Sequence, residues 1–257
     1  MPAFELDSTY LICINTNGTE VISTPMISTG LSPSLYTFEW SLDGNVLAGE
    51  TGPGLEPSQG GTYSVVVTDM ATGCMGTGTT LVEVSEPPVI STEVTTAAFA
   101  DQHNILVSAE GNGIAVYEFS LDGGAWVANE PNGGTYTFEN VGAGAHTVTV
   151  RDINGCGEAS APVMVMDYPL YFTPNGDGYN DTWNIYGIAG QPDAKVFVFD
   201  RYGKLLKQLS PTGNGWDGTY NGSPMPSSDY WFTVEYREPN GASGTKKTFK
   251  AHFTLKR

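Results

Sequence analysis

Short runs of alternating apolar and polar residues, broken repeatedly by Gly, Pro, Asn or Asp, make up most of this 257-residue chain. Runs of that kind predict half-buried β-strands joined by turns. His146-Thr147-Val148-Thr149-Val150 alternates at every position, and residues 229–237 alternate over nine. Tyr63-Ser64-Val65-Val66-Val67 reads as a further strand. Runs with a 3.6-residue period are missing, and 16 Pro and 32 Gly interrupt the chain too often for long helices. No apolar stretch reaches the length that spans a bilayer, so no direct membrane span is expected. The pattern predicts an all-β fold of sandwiches with negligible helix.

A degenerate repeat organises the first two thirds. Glu39-Trp40-Ser41-Leu42-Asp43-Gly44 returns as Glu118-Phe119-Ser120-Leu121-Asp122-Gly123. The run from Gly61 to Asp69 returns from Gly144 to Asp152, and Gly73-Cys74 returns as Gly155-Cys156. A period of about eighty residues is the size of a small Ig-like sandwich and too long for a solenoid unit. Trp40 and Phe119 are expected to point inward, with Leu-Asp-Gly as the turn that follows. Pro87-Pro88 and Asp167-Tyr168-Pro169 close the two repeats, because Pro cannot continue a ladder. Residues 169–257 share none of these motifs. Strands are expected there near 183–188, 195–201, 204–209, 229–237 and 246–255, with Arg201-Tyr202-Gly203-Lys204 as a hairpin turn. The predicted architecture is tandem Ig-like β-sandwich domains at 1–87, 88–168 and 169–257, with short Pro-containing joints that favour a stiff array.

Charge sharpens that division. Residues 1–168 hold twenty Asp/Glu and one basic residue, Arg151, for a net −19; residues 169–257 hold eight Asp/Glu and ten Lys/Arg, for a net +2. A break this abrupt marks a boundary between different tasks. The acidic part repels nucleic acid and anionic lipid, so neither is an expected partner. The first residues, Met-Pro-Ala-Phe-Glu-Leu-Asp, lack the basic and apolar regions of a signal peptide. Taken alone, that start suggests a plain cytosolic protein; taken with the rest of the sequence, the chain reads as a portion of a longer one, and as a monomer on its own.

Cys13, Cys74 and Cys156 form no CxxC pair, so zinc is not expected. Cys13 lies early and Cys74 late in the first repeat, on strands that can face each other in a sandwich. A Cys13–Cys74 disulfide is expected, worth roughly 4 kcal/mol by chain entropy, with Cys156 free. His103, His146 and His252 lie far apart, with no nucleophile motif or paired carboxylates nearby, and no enzyme is expected.

The last third carries five motifs in order: TPNGDGYNDTWNI (173–185), VFVFDRYGKLLKQ (196–208), GWDGTYNG (215–222), MPSSDYWFTVEY (225–236) and HFTLKR (252–257). In order and spacing they resemble the gliding-motility-associated C-terminal domain, the type B sorting domain of type IX secretion cargo. The acidic repeats resemble, less specifically, Ig-like repeats of large bacterial surface adhesins. The resemblance implies export across the outer membrane, display at the cell surface or release, and recognition by the type IX translocon with its accessory outer-membrane proteins. The leading reading is a surface adhesin linked to gliding motility; the alternatives are a carbohydrate-binding or spacer region of a secreted hydrolase using the same signal, and a Ca²⁺-stiffened structural stalk.

Several residues admit two readings. Asn175, Asp177 and Asp181 on a Gly-rich turn could ligate Ca²⁺ through alternating oxygens, although the EF-hand spacing is absent; Asx turns need the same residues. No other cofactor is expected. Lys246, Lys247, Lys250, Lys256 and Arg257 form a basic end that either protects an edge strand or docks the secretion machinery. The Arg201, Tyr202 and Lys204 hairpin is a second candidate docking surface. Trp183, Trp216 and Trp231 read as core aromatics or as a sugar platform.

Overall fold

The computed structural model describes residues 2–16, 18–111, 116–128, 133–153, 155–237 and 246–257. These residues are nearly all β, in tandem Ig-like sandwiches, with one 3-10 turn at Ile188–Gly190. The sheets fall into three groups along the chain, each closed around its own apolar cluster.

The first group contains β1 (Thr9–Ile14), β2 (Val21–Ser23), β3 (Ile27–Ser28), β4 (Tyr36–Leu42), β5 (Asn45–Val46), β6 (Gly54–Leu55), β7 (Gly61–Asp69) and β8 (Met75–Ser85). Six form one sheet in the order β2-β1-β8-β7-β4-β5, and β3 pairs with β6. The alternation read from the sequence is the reason for the core. Phe38, Trp40 and Leu42 of β4 and Tyr63, Val65 and Val67 of β7 turn inward, with Trp40 fully buried. Strand β1 runs parallel to β8, so that Cys13 lies beside Ser85.

The second group contains β9 (Val89–Val94), β10 (His103–Glu110), β11 (Tyr117–Leu121), β12 (Val127–Ala128), β13 (Thr135–Val141), β14 (Gly144–Asp152) and β15 (Glu158–Val165). Its sheets run β13-β10-β9 and β12-β11-β14-β15, around Phe119, Val148 and Val150. The repeated Leu-Asp-Gly turns are equivalent in detail. Asp43 and Asp122 both take positive φ, and each carboxylate accepts the N–H of Thr62 or Thr147 on the neighbouring strand, at 2.9 and 2.8 Å. The Asp is therefore a tie between hairpins as well as a turn former.

The third group contains β16 (Tyr171–Phe172), β17 (Lys195–Phe199), β18 (Leu205–Leu209), β19 (Thr219–Tyr220), β20 (Ser223–Pro224), β21 (Ser228–Arg237) and β22 (Lys246–Leu255). Five form the sheet β16-β22-β21-β17-β18, and β19 pairs with β20. Trp183 and Trp216 are fully buried among Phe172, Phe232 and Phe253, so they are core and cannot form a sugar platform; Trp231 is partly exposed. The strand expected at 183–188 is reduced to a single bridge between Trp183 and Trp216. Asn184 turns its side chain onto the N–H of Ile185, and Gly187 takes φ 75°, so the extended run cannot continue.

A tyrosine near the start of a late strand braces two of the sandwiches. The Tyr63 hydroxyl donates to Gln59 O at 3.0 Å and Tyr230 to Pro226 O at 2.7 Å. In the second sandwich His146 takes this place: Nε2 lies 3.0 Å from Gly142 O and Nδ1 2.7 Å from Asp122 Oδ2.

The cysteines correct the sequence reading. The disulfide joins Cys13 to Cys156, and Cys74 is exposed and free. Parallel pairing is the reason. Cys13 lies beside Ser85 at one end of β8, whereas Cys74 precedes Met75 at the other. That separation is roughly 33 Å along the strand, far beyond the reach of a disulfide. Cys156, in the turn between β14 and β15, instead meets Cys13 across the first joint.

The second joint is packed rather than bonded. Phe99, on the loop between β9 and β10, enters the apolar cluster of the third sandwich. Its ring stacks on Phe249 with centroids 4.5 Å apart and meets Tyr236 edge-on at 5.0 Å. Beside it, Asp167 accepts the N–H of Tyr168, lies 3.2 Å from Nε2 of buried His103, and receives the Tyr186 N–H on its carbonyl.

Candidate functional site

The third sandwich has two poles, and β22 connects them. At the proximal pole Lys246 and Lys247 begin β22, near the joint where Phe99 stacks on Phe249. At the distal pole Lys256 and Arg257 follow it. Ten residues of strand separate the poles by roughly 30 Å, so the basic end read from the sequence is not one surface. Faces divide it again. Lys247 lies opposite buried Tyr236, whereas Lys246 and Lys250 lie opposite Arg237 and Thr233 on the other face. Lys246 also borders a small cavity of about 130 Å³ with Asp193, Glu235 and Arg237, where the Arg237–Asp193 ion pair already sets the charge.

The distal pole brings together the other sequence candidates. The turn after β17 holds Arg201 and Tyr202. Asp200 shapes it by accepting the N–H groups of Tyr202 and Lys204, both at 2.9 Å. Two adjoining grooves open beside this turn. One, of about 380 Å³, is lined by Asp200, Arg201, Tyr202, Met225 and Tyr230 among others. The other, of about 440 Å³, is lined by Thr254, Leu255, Lys256 and Arg257. Arg201, Ser227, Ser228 and Asp229 border both, and Arg201 Nη2 donates to Ser228 Oγ at 2.6 Å. The residues shared by both grooves are polar and include the Arg201–Ser228 hydrogen bond, while Met225, Pro226 and Tyr230 give the first groove an apolar side, with Tyr202 standing 87% exposed at its rim.

The cations here differ in availability. Arg257 is a clamp: its guanidinium donates to the carbonyls of Met225, Pro174 and Gly218, at 3.1, 3.3 and 3.1 Å, pinning three loops together. Lys256 and Lys204 lie over the rings of Tyr171 and Tyr220, at 4.1 and 4.4 Å. Those rings hold the ammonium groups at the surface without neutralising them. Sequence reasoning missed Ser227, Ser228 and Asp229, whose role comes only from the return of β21 beside the Arg201 turn.

The Gly-rich loop at 173–182 is a set of interlocking Asx turns. Asp181 accepts the N–H groups of Asn175, Gly176 and Gly178, at 3.0, 2.6 and 2.7 Å. Asp177 accepts Tyr179 N–H at 2.7 Å and the Asn175 amide at 2.8 Å, and Asn175 Oδ1 accepts Asp177 N–H. The N–H groups of Gly176 and Gly178 hold the Asp181 carboxyl below the usual range. The side-chain oxygens of Asn175, Asp177 and Asp181 that could ligate Ca²⁺ therefore also accept the N–H groups of these turns. The loop's rigidity serves the grooves, because Pro174 is one of the carbonyls that Arg257 grips.

Comparison with known proteins locates a family at this end of the chain. Residues 166–255 match the family model described as the CHU_C type IX secretion signal domain. Among solved structures, the titin domains I67–I69 share 9% identity over 98% of this chain and 97% of theirs, at a TM-score of 0.39. Three N-terminal domains of the bacteriophage RB49 capsid protein Hoc share 14% over 98% and 99%, at 0.34. Fibronectin(III)-like modules of Clostridium thermocellum CbhA share 14% over 64% and 95%, at 0.37. At these scores the similarities carry no further argument. No helix among the described residues is long and apolar enough to cross a membrane.

Proposed function

We propose, from the premise that residues 166–255 are a type IX secretion signal domain, that the distal pole of this domain is the surface the secretion machinery reads. A protein bearing this signal is exported across the outer membrane, to the cell surface or the medium. The acidic sandwiches before it are then the displayed part. Their size, charge and tandem order suit the stalk of a surface adhesin, and gliding motility is the activity such a protein would serve.

The observation that carries the reading is the convergence at one pole of the Arg201 turn, the end of β22 and two adjoining grooves with polar residues between them. This pole is the end of the third sandwich away from the second, whereas the lysines that begin β22 lie at the end where Phe99 of the second sandwich packs. Exposed Tyr202 beside Arg201, with Lys256 on the adjoining groove that Arg201 also borders, offers an aromatic anchor and charge for orientation, the mix that specific docking uses. Sandwich folding alone cannot be the signal, because the passenger sandwiches share it.

The test is export of the full chain in a host with an active type IX system. Deleting 169–257 is expected to strand the passenger in the periplasm. The pair Arg201→Glu and Lys256→Glu is expected to block export of folded protein more severely than Lys246→Glu with Lys250→Glu. Export at the wild-type level by the folded distal pair would overturn the assignment.

A further inference from the structure

The joint between the first two sandwiches has two halves. One is a cysteine on an early strand, Cys13 on β1, at the pole where Ser85 and Pro87-Pro88 lead into the second sandwich. The other is the Gly-Cys turn after β14, where Cys156 bonds Cys13 and its sulfur lies 4.0 Å from Ile12 O. The first sandwich carries the second half as well. Gly73-Cys74 closes the turn after β7, held by Gly73 N–H on Asp69 O and Asp69 N–H on Cys74 O, at 2.8 and 2.9 Å. Parallel pairing of β1 with β8 places this turn at the pole away from the second sandwich, just as the Cys156 turn lies at the pole facing the first.

A second observation marks the Cys74 pole. Leu35, Met70 and Met75 are 60%, 52% and 61% exposed. Met70 N–H bonds Leu35 O, and Met75 pairs with Thr68, so the three gather at the turn that carries Cys74. The free thiol is therefore bordered by exposed apolar side chains, which the end of a neighbouring sandwich could cover as one does at the Cys156 turn.

We infer that this pole is half of another joint of the same kind: Cys74 forms a disulfide with an early-strand cysteine of a further acidic sandwich, whose end covers Leu35, Met70 and Met75. A second copy of this chain offers no early-strand thiol, because its Cys13 is already bonded to Cys156. Forming the link oxidises two thiols to one disulfide. The electrons and protons pass by thiol–disulfide exchange to a disulfide oxidant of the cell envelope, which leaves as its dithiol. Each such link holds together sandwiches whose like charges repel, so that joints recur as covalent staples along a stiff stalk.

The test is disulfide mapping of the protein taken from cells that produce and export it. Free thiols are blocked with N-ethylmaleimide before any purification, and digestion is non-reducing. The expected product is the Cys74 peptide cross-linked to a cysteine near the start of another sandwich. Cys74→Ser should remove that product and leave the Cys13–Cys156 pair intact. Cys74 recovered as its maleimide adduct, as a mixed disulfide with a small thiol, or as a Cys74–Cys74 dimer would overturn the inference. Export is scored separately, by the fraction in which the protein is found, so failure of the link and failure of the sorting signal are distinguished.

Discussion

Replacing Phe99 tests whether the second and third sandwiches stand or fall together. The residue belongs to the second sandwich by sequence but lies 9% exposed in the core of the third. Truncating a buried Phe to Ala costs about 3–5 kcal/mol. Phe99 keeps its ring against Phe249 and Tyr236, but its loop can relax, so about 3 kcal/mol is expected. Phe99 also takes φ 62°, a left-handed conformation that strains any residue with a Cβ. Phe99→Gly should relieve that strain and be more stable than Phe99→Ala by roughly 0.5–1 kcal/mol, after Gly's greater unfolded-state entropy. The assay is urea unfolding followed by tryptophan fluorescence, to which the buried Trp183 and Trp216 of the third sandwich contribute. Both variants are expected to bring forward the transition of the third sandwich, with Phe99→Gly the milder. An unmoved third transition would refute the plug, and a Gly variant weaker than the Ala variant would refute the strain.

Other consequences follow from the same geometry. Non-reducing peptide mapping of the isolated 257-residue chain should return Cys13 linked to Cys156, and Cys13→Ser should remove about 5 kcal/mol of chain-entropy stabilisation; a Cys13–Cys74 product would contradict the parallel β1–β8 register. Asp181 has its carboxyl held below the ordinary value, so its stabilisation is complete above the unfolded pKa of about 4 and fades as pH falls through the folded one. The melting-temperature gap between wild type and Asp181→Asn should therefore be open at pH 7 and close in acid, and a gap that widens in acid would reverse the sign. If the loop at 173–182 is braced by Asx turns alone, EDTA should leave the melting temperature unchanged, and a fall would favour the Ca²⁺ reading. Tyr230→Phe should cost about 1 kcal/mol in thermal unfolding, by removing the hydrogen bond to Pro226 O; a neutral effect would show that water replaces the hydroxyl.

The all-β class, the repeat and the charge break were legible because each is a local or additive property. Alternation places Trp40, Val65 and Val67 inward whatever the rest of the chain does. The Leu-Asp-Gly turns follow from the residues themselves, and net charge is a count. The motifs of the last third were also legible, down to the turn that Asp200 shapes. The strand expected at 183–188 failed where local polarity misled, because Asn184 satisfies its neighbour's N–H and leaves the ladder at one bridge. The disulfide was misread for a different reason. Which cysteines meet depends on whether β1 joins β8 parallel or antiparallel, a pairing across some seventy residues that no local pattern encodes. The division of the basic end between two poles, the Arg257 clamp and the grooves beside Arg201 arise in the same way. Residues far apart in the chain become neighbours only when strands return. Period-two patterning therefore determined what the strands are and which faces they bury, and tertiary pairing decided which ends meet, where thiols and cations face one another.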